Sequence, residues 1–267
     1  MKEVTSKDGT KIAVDVMGSG PPVVLVDPAL ASRATGMWSQ VVGSLSKSFT
    51  TYHYDRRGRG SSGNSDTIDV QQEIDDLAAV CALAGSPPKV VGYNAGSVLA
   101  LRAAGAGVPM ERLLAWEVPL LIDGKRKVKT PELRERIRTL IDANKRGEAM
   151  DLWYSTFGAP GFGLAMMKAF GIMQAFEPNA HTLLRDFAVL GDTFNNGPLP
   201  DELKETFKRI KVPTTIGYGA WDASWLKHSA KVVAGLVPGA VTRTSWWMSQ
   251  AFNPIQMNRF LKSELGN

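Results

Sequence analysis

Residues 92 to 96, Gly-Tyr-Asn-Ala-Gly, place a polar side chain between two glycines directly after the short β-branched run KVV. Flanking glycines allow a tight turn, and asparagine tolerates left-handed backbone angles better than most other residues. The carboxamide of Asn94 donates and accepts hydrogen bonds but has no proton to lose at neutral pH. It could therefore orient a substrate carbonyl, although it would be a poor nucleophile. The alternative is that Asn94 only supports the turn.

Three carboxylates also follow apolar runs. Asp27 lies in VDPAL, Glu117 in LLAWEVP and Asp222 in GAWD. Burial beside a tryptophan would raise the pKa of a carboxyl group toward neutrality, as a general base requires. These side chains could therefore move a proton next to a carbonyl group. The alternative for Asp222 is that it only holds its own loop.

The elements that would position these groups alternate along the chain. Strands are predicted at residues 11–17, 21–27, 49–55, 89–93, 112–119, 212–219 and 240–246. Helices are predicted at about 35–46, 68–84, 95–106, 225–235 and 253–264. This order predicts an α/β protein whose mostly parallel sheet is covered by helices on both faces. Active groups in such sheets gather at the carboxyl ends of the strands.

Residues 122–195 interrupt this alternation with helical sequence that is rich in methionine and aromatic residues. The apolar residues are too many for one sheet-facing stripe, which predicts an inserted lid whose underside closes a pocket. The core is then formed by residues 1–121 and 196–267. The alternative is that the methionines fill the space between the lid helices.

Composition excludes several classes of protein. The formal charge is +5, but the densest basic stretch, residues 124–138, also carries Glu132 and Glu135 and lacks interleaved aromatic residues. We therefore expect no nucleic-acid partner. No run reaches the roughly 18 apolar residues of a membrane span, and the first residues contain no apolar signal segment, so we expect a cytoplasmic protein without a membrane partner.

Four motifs in chain order resemble those of the α/β-hydrolase superfamily. GSGPPVVLVDPAL is similar to its third strand and oxyanion loop, YDRRGRGSSG to the loop after its fourth strand, GYNAGS to its G-x-S-x-G nucleophile elbow, and GAWD to its acid-bearing turn. The resemblance covers nearly the whole chain. It implies the α/β-hydrolase fold, with the lid inserted after the sixth strand.

The resemblance also implies a catalytic triad, which this sequence keeps only in part. Asn94 stands at the nucleophile position, Asp222 at the acid position and Gln250 at the base position, and no histidine follows His228. Acyl-enzyme chemistry needs a nucleophile activated by a base. The sequence therefore predicts a degenerate triad, and in this respect it is similar to the bottromycin peptide epimerase.

The family's oxyanion hole is built from backbone N–H groups and would survive these replacements. The resemblance assigns one donor to Ala95, at a helix N-terminus that favours anions, and the other to Ala29 or Leu30. Two such donors suit an enolate as well as a tetrahedral oxyanion.

An apolar lid and an aromatic pocket suit a bulky apolar small molecule or peptide. The candidate substrate-binding residues are Asp27, Tyr93, Trp153, His181, Trp221, Trp246, Trp247 and Gln250. We expect no metal and no cofactor, and either a monomer or a homodimer.

Three functions remain open at this point. The first is a non-hydrolytic isomerase, epimerase, lyase or cyclase of specialised metabolism that transfers a proton next to a carbonyl group. The second is a catalytically silent protein that binds a hydrophobic small molecule. The third is an esterase, lactonase or epoxide hydrolase with relocated catalytic groups.

Overall fold

The structure is a computed structural model. It describes residues 1–124, 130–159, 161–191, 193–195, 197–246 and 253–266. Within these ranges a single sheet contains eight strands. They are β1 (Lys2–Thr5), β2 (Lys11–Met17), β3 (Pro22–Val26), β4 (Thr50–Tyr54), β5 (Lys89–Tyr93), β6 (Arg112–Trp116), β7 (Thr214–Gly219) and β8 (Val241–Ser245).

The strand order in the sheet is β1-β2-β4-β3-β5-β6-β7-β8. The pairs β1–β2 and β2–β4 are antiparallel, and every other neighbouring pair is parallel. Parallel pairing places the carboxyl ends of β3 to β8 along one edge of the sheet, so the loops that follow these strands share that edge.

Helices cover both faces of the sheet. Outside the segment between β6 and α9 they are α1 (Ser39–Leu45), α2 (Val70–Leu83), α3 (Ala95–Gly105), α10 (Ser224–Leu236) and α11 (Pro254–Leu265), with α9 itself at Asp201–Lys208. Between β6 and α9 lie α4 (Thr130–Asp142), α5 (Arg146–Thr156), α6 (Gly161–Ala169), α7 (Ile172–Phe176) and α8 (Leu183–Leu190). A 3-10 helix, Glu177–Thr182, joins α7 to α8.

Alternate residues of the central strands enter two separate apolar cores. In β3, Val24 and Val26 pack with α2, α3 and the helices between β6 and α9, whereas Val23 and Leu25 pack with α1 and α11. Both sets are fully buried, because a parallel strand covered on both faces has no side exposed to water. This explains the continuous apolar run PVVLV of the strand.

The α/β-hydrolase fold predicted from the sequence is confirmed, and the seven predicted strands are present with small differences at their ends. Strand β1 was not predicted because it is short, lies at the sheet edge and is mostly exposed, so its sequence lacks a buried pattern. Helix α9 was not predicted either; it is strongly polar and buries only a narrow stripe that includes Leu203 and Phe207.

No helix of the described ranges is both long and apolar enough to cross a bilayer. The division into core and lid remains a prediction.

We predict that Gly96→Ala destabilises the protein by about 3 kcal/mol, because the added methyl group would overpack a filled site. A Cβ at Gly96 would lie 2.4 Å from the carbonyl oxygen of Val26 and 2.6 Å from that of Asp27. Urea unfolding followed by circular dichroism measures the change.

Gly43→Ala is the matched control, because Gly43 lies within α1 and a Cβ there would meet nothing within 4 Å. Alanine should raise the free energy of unfolding by about 0.5–1 kcal/mol at this position, through helix propensity. Equal effects of the two substitutions would contradict close packing at the turn.

Candidate active site

The turn between β5 and α3 holds Asn94 in a strained conformation, with φ 51° and ψ −124°. Its backbone N–H donates to the carbonyl oxygen of Trp116 in β6 at 2.9 Å. Before the turn, a Cβ at Gly92 would lie 2.4 Å from the carbonyl oxygen of Gly96, so a glycine at position 92 leaves room for the backbone of Gly96. The surroundings therefore fix this sharp turn, as is typical of strained backbone at functional sites.

The side chain of Asn94 folds back onto the next residue. Its Oδ1 accepts a hydrogen bond from the Ala95 N–H at 3.0 Å. The expectation that the Ala95 N–H is free to bind an oxyanion is therefore wrong for this conformation. The physical reason is that the first N–H groups of a helix lack partners within the helix, and a neighbouring amide oxygen satisfies one of them.

Asp222 lies in the turn after β7 and is 3% exposed. Its Oδ2 accepts from the Gly219 N–H at 2.5 Å, whereas its buried Oδ1 has no hydrogen-bond partner among the described residues. Burial raises the pKa of this carboxyl to about 6, against the opposing effects of the Gly219 hydrogen bond and the charge of Lys227. A buried carboxylate with a pKa near neutrality is suited to accept a proton.

Glu117 follows β6 in a left-handed conformation, with φ 52°. Its backbone N–H donates to the Gly217 carbonyl at 2.9 Å, and its Oε1 accepts from the indole Nε1 of Trp116 at 3.2 Å. Burial, together with the negative charge of Asp222, raises the pKa of Glu117 to about 8, although a hydrogen bond with the side chain of Tyr93 partly opposes this. Glu117 is therefore mostly protonated at neutral pH.

These two carboxyl groups thus have different pKa values within one buried site. Near pH 7, Asp222 is mostly ionised and can accept a proton, while Glu117 is mostly neutral and can donate one. When the environments of two carboxyl groups push their pKa values apart, one group can act as an acid and the other as a base. Tyr93, Glu117 and Asp222 interact with one another, and the backbone of Asn94 is bonded to Trp116, the residue before Glu117, as expected from the strand ends on which these residues lie.

Asp27, the third candidate carboxylate, is already paired. Its Oδ2 lies 2.5 Å from Nε2 of His53 in β4, and both side chains are buried. Gly36 packs against the same carboxylate, since a Cβ there would lie 2.2 Å from Oδ1. The expectation that Asp27 contacts substrate is therefore not supported, because the carboxylate is enclosed between His53 and Gly36.

The two other oxyanion candidates differ in exposure. Ala29 is partly exposed, and among the described residues its N–H donates no hydrogen bond. Leu30 is fully buried with φ 66°, an unusual conformation for a leucine. Since Ala29 is partly exposed and Leu30 is fully buried, Ala29 is the better placed of the two residues to meet a ligand.

Trp153 does not line an open pocket, contrary to expectation. It is 3% exposed and packs against Phe157, Phe187 and Phe194, with ring centroids 5.2–5.5 Å apart. These aromatic residues stabilise the region between β6 and β7 by burying their own surface. Trp153 therefore fills the space between the helices of this region.

The remaining predicted substrate-binding residues are spread over the surface around the site. Trp221 and Trp246 are 73% and 69% exposed and contact each other edge to face, with centroids 6.4 Å apart. His181 is half-buried in the 3-10 helix, with Nδ1 3.1 Å from the Pro178 carbonyl, and burial lowers its pKa. Trp247 and Gln250 lie outside the described residues.

Two cavities between described residues lie elsewhere. One, of about 240 Å³, is lined by Asp15, Arg33 and Asp55 near the antiparallel edge of the sheet. Arg33 bridges both carboxylates there, at 2.6 Å and 3.0 Å, so the groups of this cavity already satisfy one another. The other cavity lies between α5 and α6.

Comparison with known proteins assigns the family. A solved structure described as an α/β hydrolase from Sphaerobacter thermophilus DSM 20745 is 35% identical in sequence, with a TM-score of 0.90, and the match covers 99% of this chain and 100% of that one. The chain therefore belongs to the α/β-hydrolase family. No protein-family model matches the sequence, and no curated protein matches it.

More distant structures share the fold alone. A hydrolase from Pseudomonas aeruginosa PA01 is 18% identical with a TM-score of 0.74, over 100% of this chain and 98% of that one. The enol-lactonase from Burkholderia xenovorans LB400 is also 18% identical, with a TM-score of 0.73, over 99% and 98%. The same backbone thus carries different sequences, so function has to be argued from the side chains of the site.

We predict that the stability of the protein falls as pH rises from 5 to 8, and that Glu117→Gln makes this fall shallower. The pKa of Glu117 is raised from 4.5 to about 8 in the folded protein. In this interval the folded chain binds a proton that the unfolded chain has lost, so folding is weakened by up to about 1.4 kcal/mol per pH unit.

Urea unfolding at pH 5, 6, 7 and 8 measures this slope. The matched control is Glu205→Gln, at a side chain of α9 that is 59% exposed, and it should keep the wild-type slope. If Glu117→Gln and Glu205→Gln gave the same pH dependence, Glu117 would not be held neutral by its site.

Proposed function

We propose that this protein is a non-hydrolytic, cofactor-independent enzyme that transfers a proton next to a carbonyl group of a bulky apolar substrate, as an isomerase, epimerase, lyase or cyclase. The observation that carries the proposal is the buried pair of carboxyl groups, Asp222 with a pKa of about 6 and Glu117 with a pKa of about 8, beside an asparagine at the nucleophile position.

The pair supplies both halves of a proton transfer. The ionised Asp222 accepts the proton of the carbon next to the carbonyl, and the C–H electron pair forms the enolate. The neutral Glu117 then returns a proton to carbon, or to a leaving group in an elimination. Afterwards Asp222 is protonated and Glu117 ionised, and exchange with water restores the starting state.

The enolate oxygen needs two donors, and the Ala95 N–H is already bonded to Asn94 Oδ1. The Ala29 N–H is one donor. Because Asn94 Oδ1 is bonded to the Ala95 N–H, the carboxamide is held with its acceptor occupied and its NH₂ group available. We assign the second donor to this NH₂ group, which stabilises a developing charge without itself reacting.

The substrate class follows from the surface beside Asp222. Trp221 precedes it in the turn, and the Ala220 N–H donates to the Ser245 carbonyl at 2.8 Å, which ties this turn to the segment that carries Trp246. Two exposed indoles beside a buried carboxylate would bind a flat apolar group by stacking and burial. A bulky substrate would thus rest on the tryptophans while its carbonyl end reaches Asn94.

Deuterium exchange tests the proposal. The enzyme is incubated in D₂O with a panel of α-aryl ketones, esters and lactones, and loss of the α-proton signal is followed by NMR. We expect exchange above the buffer rate for at least one compound, and Asp222→Asn should reduce that exchange by about 100-fold or more, the usual contribution of a general base.

Asp201→Asn is the matched control, because Asp201 is a surface carboxylate with a 93% exposed side chain, and it should leave the exchange rate unchanged. Undiminished exchange in Asp222→Asn would remove Asp222 from the proposed role. Tight binding of a panel compound without exchange would instead identify a silent binding protein.

Hydrolysis by relocated groups is the second candidate. It is favoured by the strained elbow, whose backbone angles at Asn94 are kept although the residue itself is not a nucleophile, and by the description of the 35% identical relative as a hydrolase. Under this hypothesis a carboxylate such as Asp222 would activate water.

The double variant Asn94→Ser with Gln250→His separates the two candidates. We expect no hydrolysis of p-nitrophenyl acetate by the wild type and measurable hydrolysis by the double variant, because the acid position and the elbow backbone are retained. Hydrolysis by the wild type at a rate that Asp222→Asn abolishes would favour the second candidate. A fluorophosphonate adduct on the wild-type protein would contradict the proposed function.

A further inference from the structure

We propose that Arg59 and Asn179 are positioning residues: they hold the oxyanion loop, residues 28–31, so that the Ala29 N–H points toward the substrate. The loop's role as an oxyanion donor rests on the proposed function, whereas the way in which the loop is held is argued from its own contacts. Neither side chain was a candidate from the sequence.

The guanidinium of Arg59 is buried, with the whole residue 1% exposed. Its Nη1 donates to the carbonyl oxygens of Pro28 at 2.7 Å and Ala31 at 3.2 Å. Its Nη2 donates to both oxygens of Asp186 in α8, at 2.8 Å and 2.9 Å, and its Nε donates to Thr182 Oγ1 at 3.1 Å. One cation thus joins the oxyanion loop to the helices between β6 and β7.

These contacts set the direction of the Ala29 N–H. In a trans peptide the carbonyl of one residue and the N–H of the next point in opposite directions. Because the Pro28 carbonyl points toward Arg59, the Ala29 N–H of the same peptide unit points away from it. Among the described residues this N–H donates to no acceptor, so it is kept available.

Leu30 shows that the loop is held in a conformation it would not adopt alone. A leucine at φ 66° is strained, by an amount that the surrounding structure has to offset. Asn179 Nδ2, in the 3-10 helix, donates to the Leu30 carbonyl at 2.9 Å, and the asparagine is itself 6% exposed. Since the carbonyls of residues 28, 30 and 31 are all bound by side chains, the loop has little freedom to turn.

Arg57 lies in the same motif and serves as a natural comparison. It is also fully buried, but its guanidinium pairs with Asp76 at 2.6 Å and Asp8 at 2.8 Å, and it does not contact the oxyanion loop. Two arginines two positions apart therefore have separate tasks. Arg57 ties its loop to α2, whereas Arg59 orients a donor of the site.

Measurement of backbone order by ¹⁵N relaxation tests the proposal on the full-length protein. In Arg59→Lys, and in the milder Asn179→Ala, the order parameters of the Ala29, Leu30 and Ala31 amides should fall from rigid values near 0.85 to below about 0.6. The amide chemical shift of Ala29 should move as the peptide unit turns.

The matched controls are Arg57→Lys and Asn64→Ala. Asn64 Oδ1 accepts from Arg185 of α8 at 2.8 Å, so it also joins this helix to the core but leaves the oxyanion loop untouched. Both controls should keep order parameters near 0.85 at residues 29–31. If Asn179→Ala leaves the loop rigid, or if a control loosens it equally, the positioning role is wrong. Because no substrate is needed, this result is independent of the outcome of the deuterium-exchange test.

Discussion

The close approach of backbones around Asn94 is the constraint on which the rest of the site depends. The glycines of the elbow let α3 start directly beneath β3, with a separation that even a methyl group would disturb. This turn also fixes the backbone of Asn94 against Trp116 of β6, and Glu117 is bonded in the same way to Gly217 of β7. These contacts set where the residues that follow β5, β6 and β7 meet. The shape of this turn depends on backbone packing and not on the side chain of residue 94. The side chain at this position can therefore change while the backbone stays the same.

Burial governs the electrostatics of the candidate site. Asp222 keeps one carboxylate oxygen without a hydrogen-bond partner among the described residues, and burial raises the pKa of this carboxyl group. Its negative charge then helps to keep Glu117 neutral. Two carboxyl groups that would be ordinary anions in water thus differ in protonation at neutral pH, as the proposed proton transfer requires.

The oxyanion loop shows a second kind of dependence, on side chains far away in sequence. Arg59 and Asn179 donate hydrogen bonds to three carbonyl oxygens of the loop, those of Pro28, Leu30 and Ala31. A buried guanidinium is stable only when its charge and its donors are matched. For Arg59 the charge is matched by Asp186, which also pairs with Arg56, and Thr182 and the loop carbonyls accept from the remaining donors. The orientation of one N–H group is therefore coupled to the packing of α8 onto the core.

The sequence by itself determined seven of the eight described strands, the helices α1, α2, α3, α10 and α11, and the positions of Asn94, Glu117 and Asp222 at strand ends. Local periodicity and turn glycines encode these features. Only the tertiary structure decided that Asp27 is paired with His53, that Trp153 is core and that Asn94 occupies the Ala95 N–H. It also decided which arginine contacts the oxyanion loop. Such facts depend on burial and on partners distant along the chain, about which a local pattern carries no information.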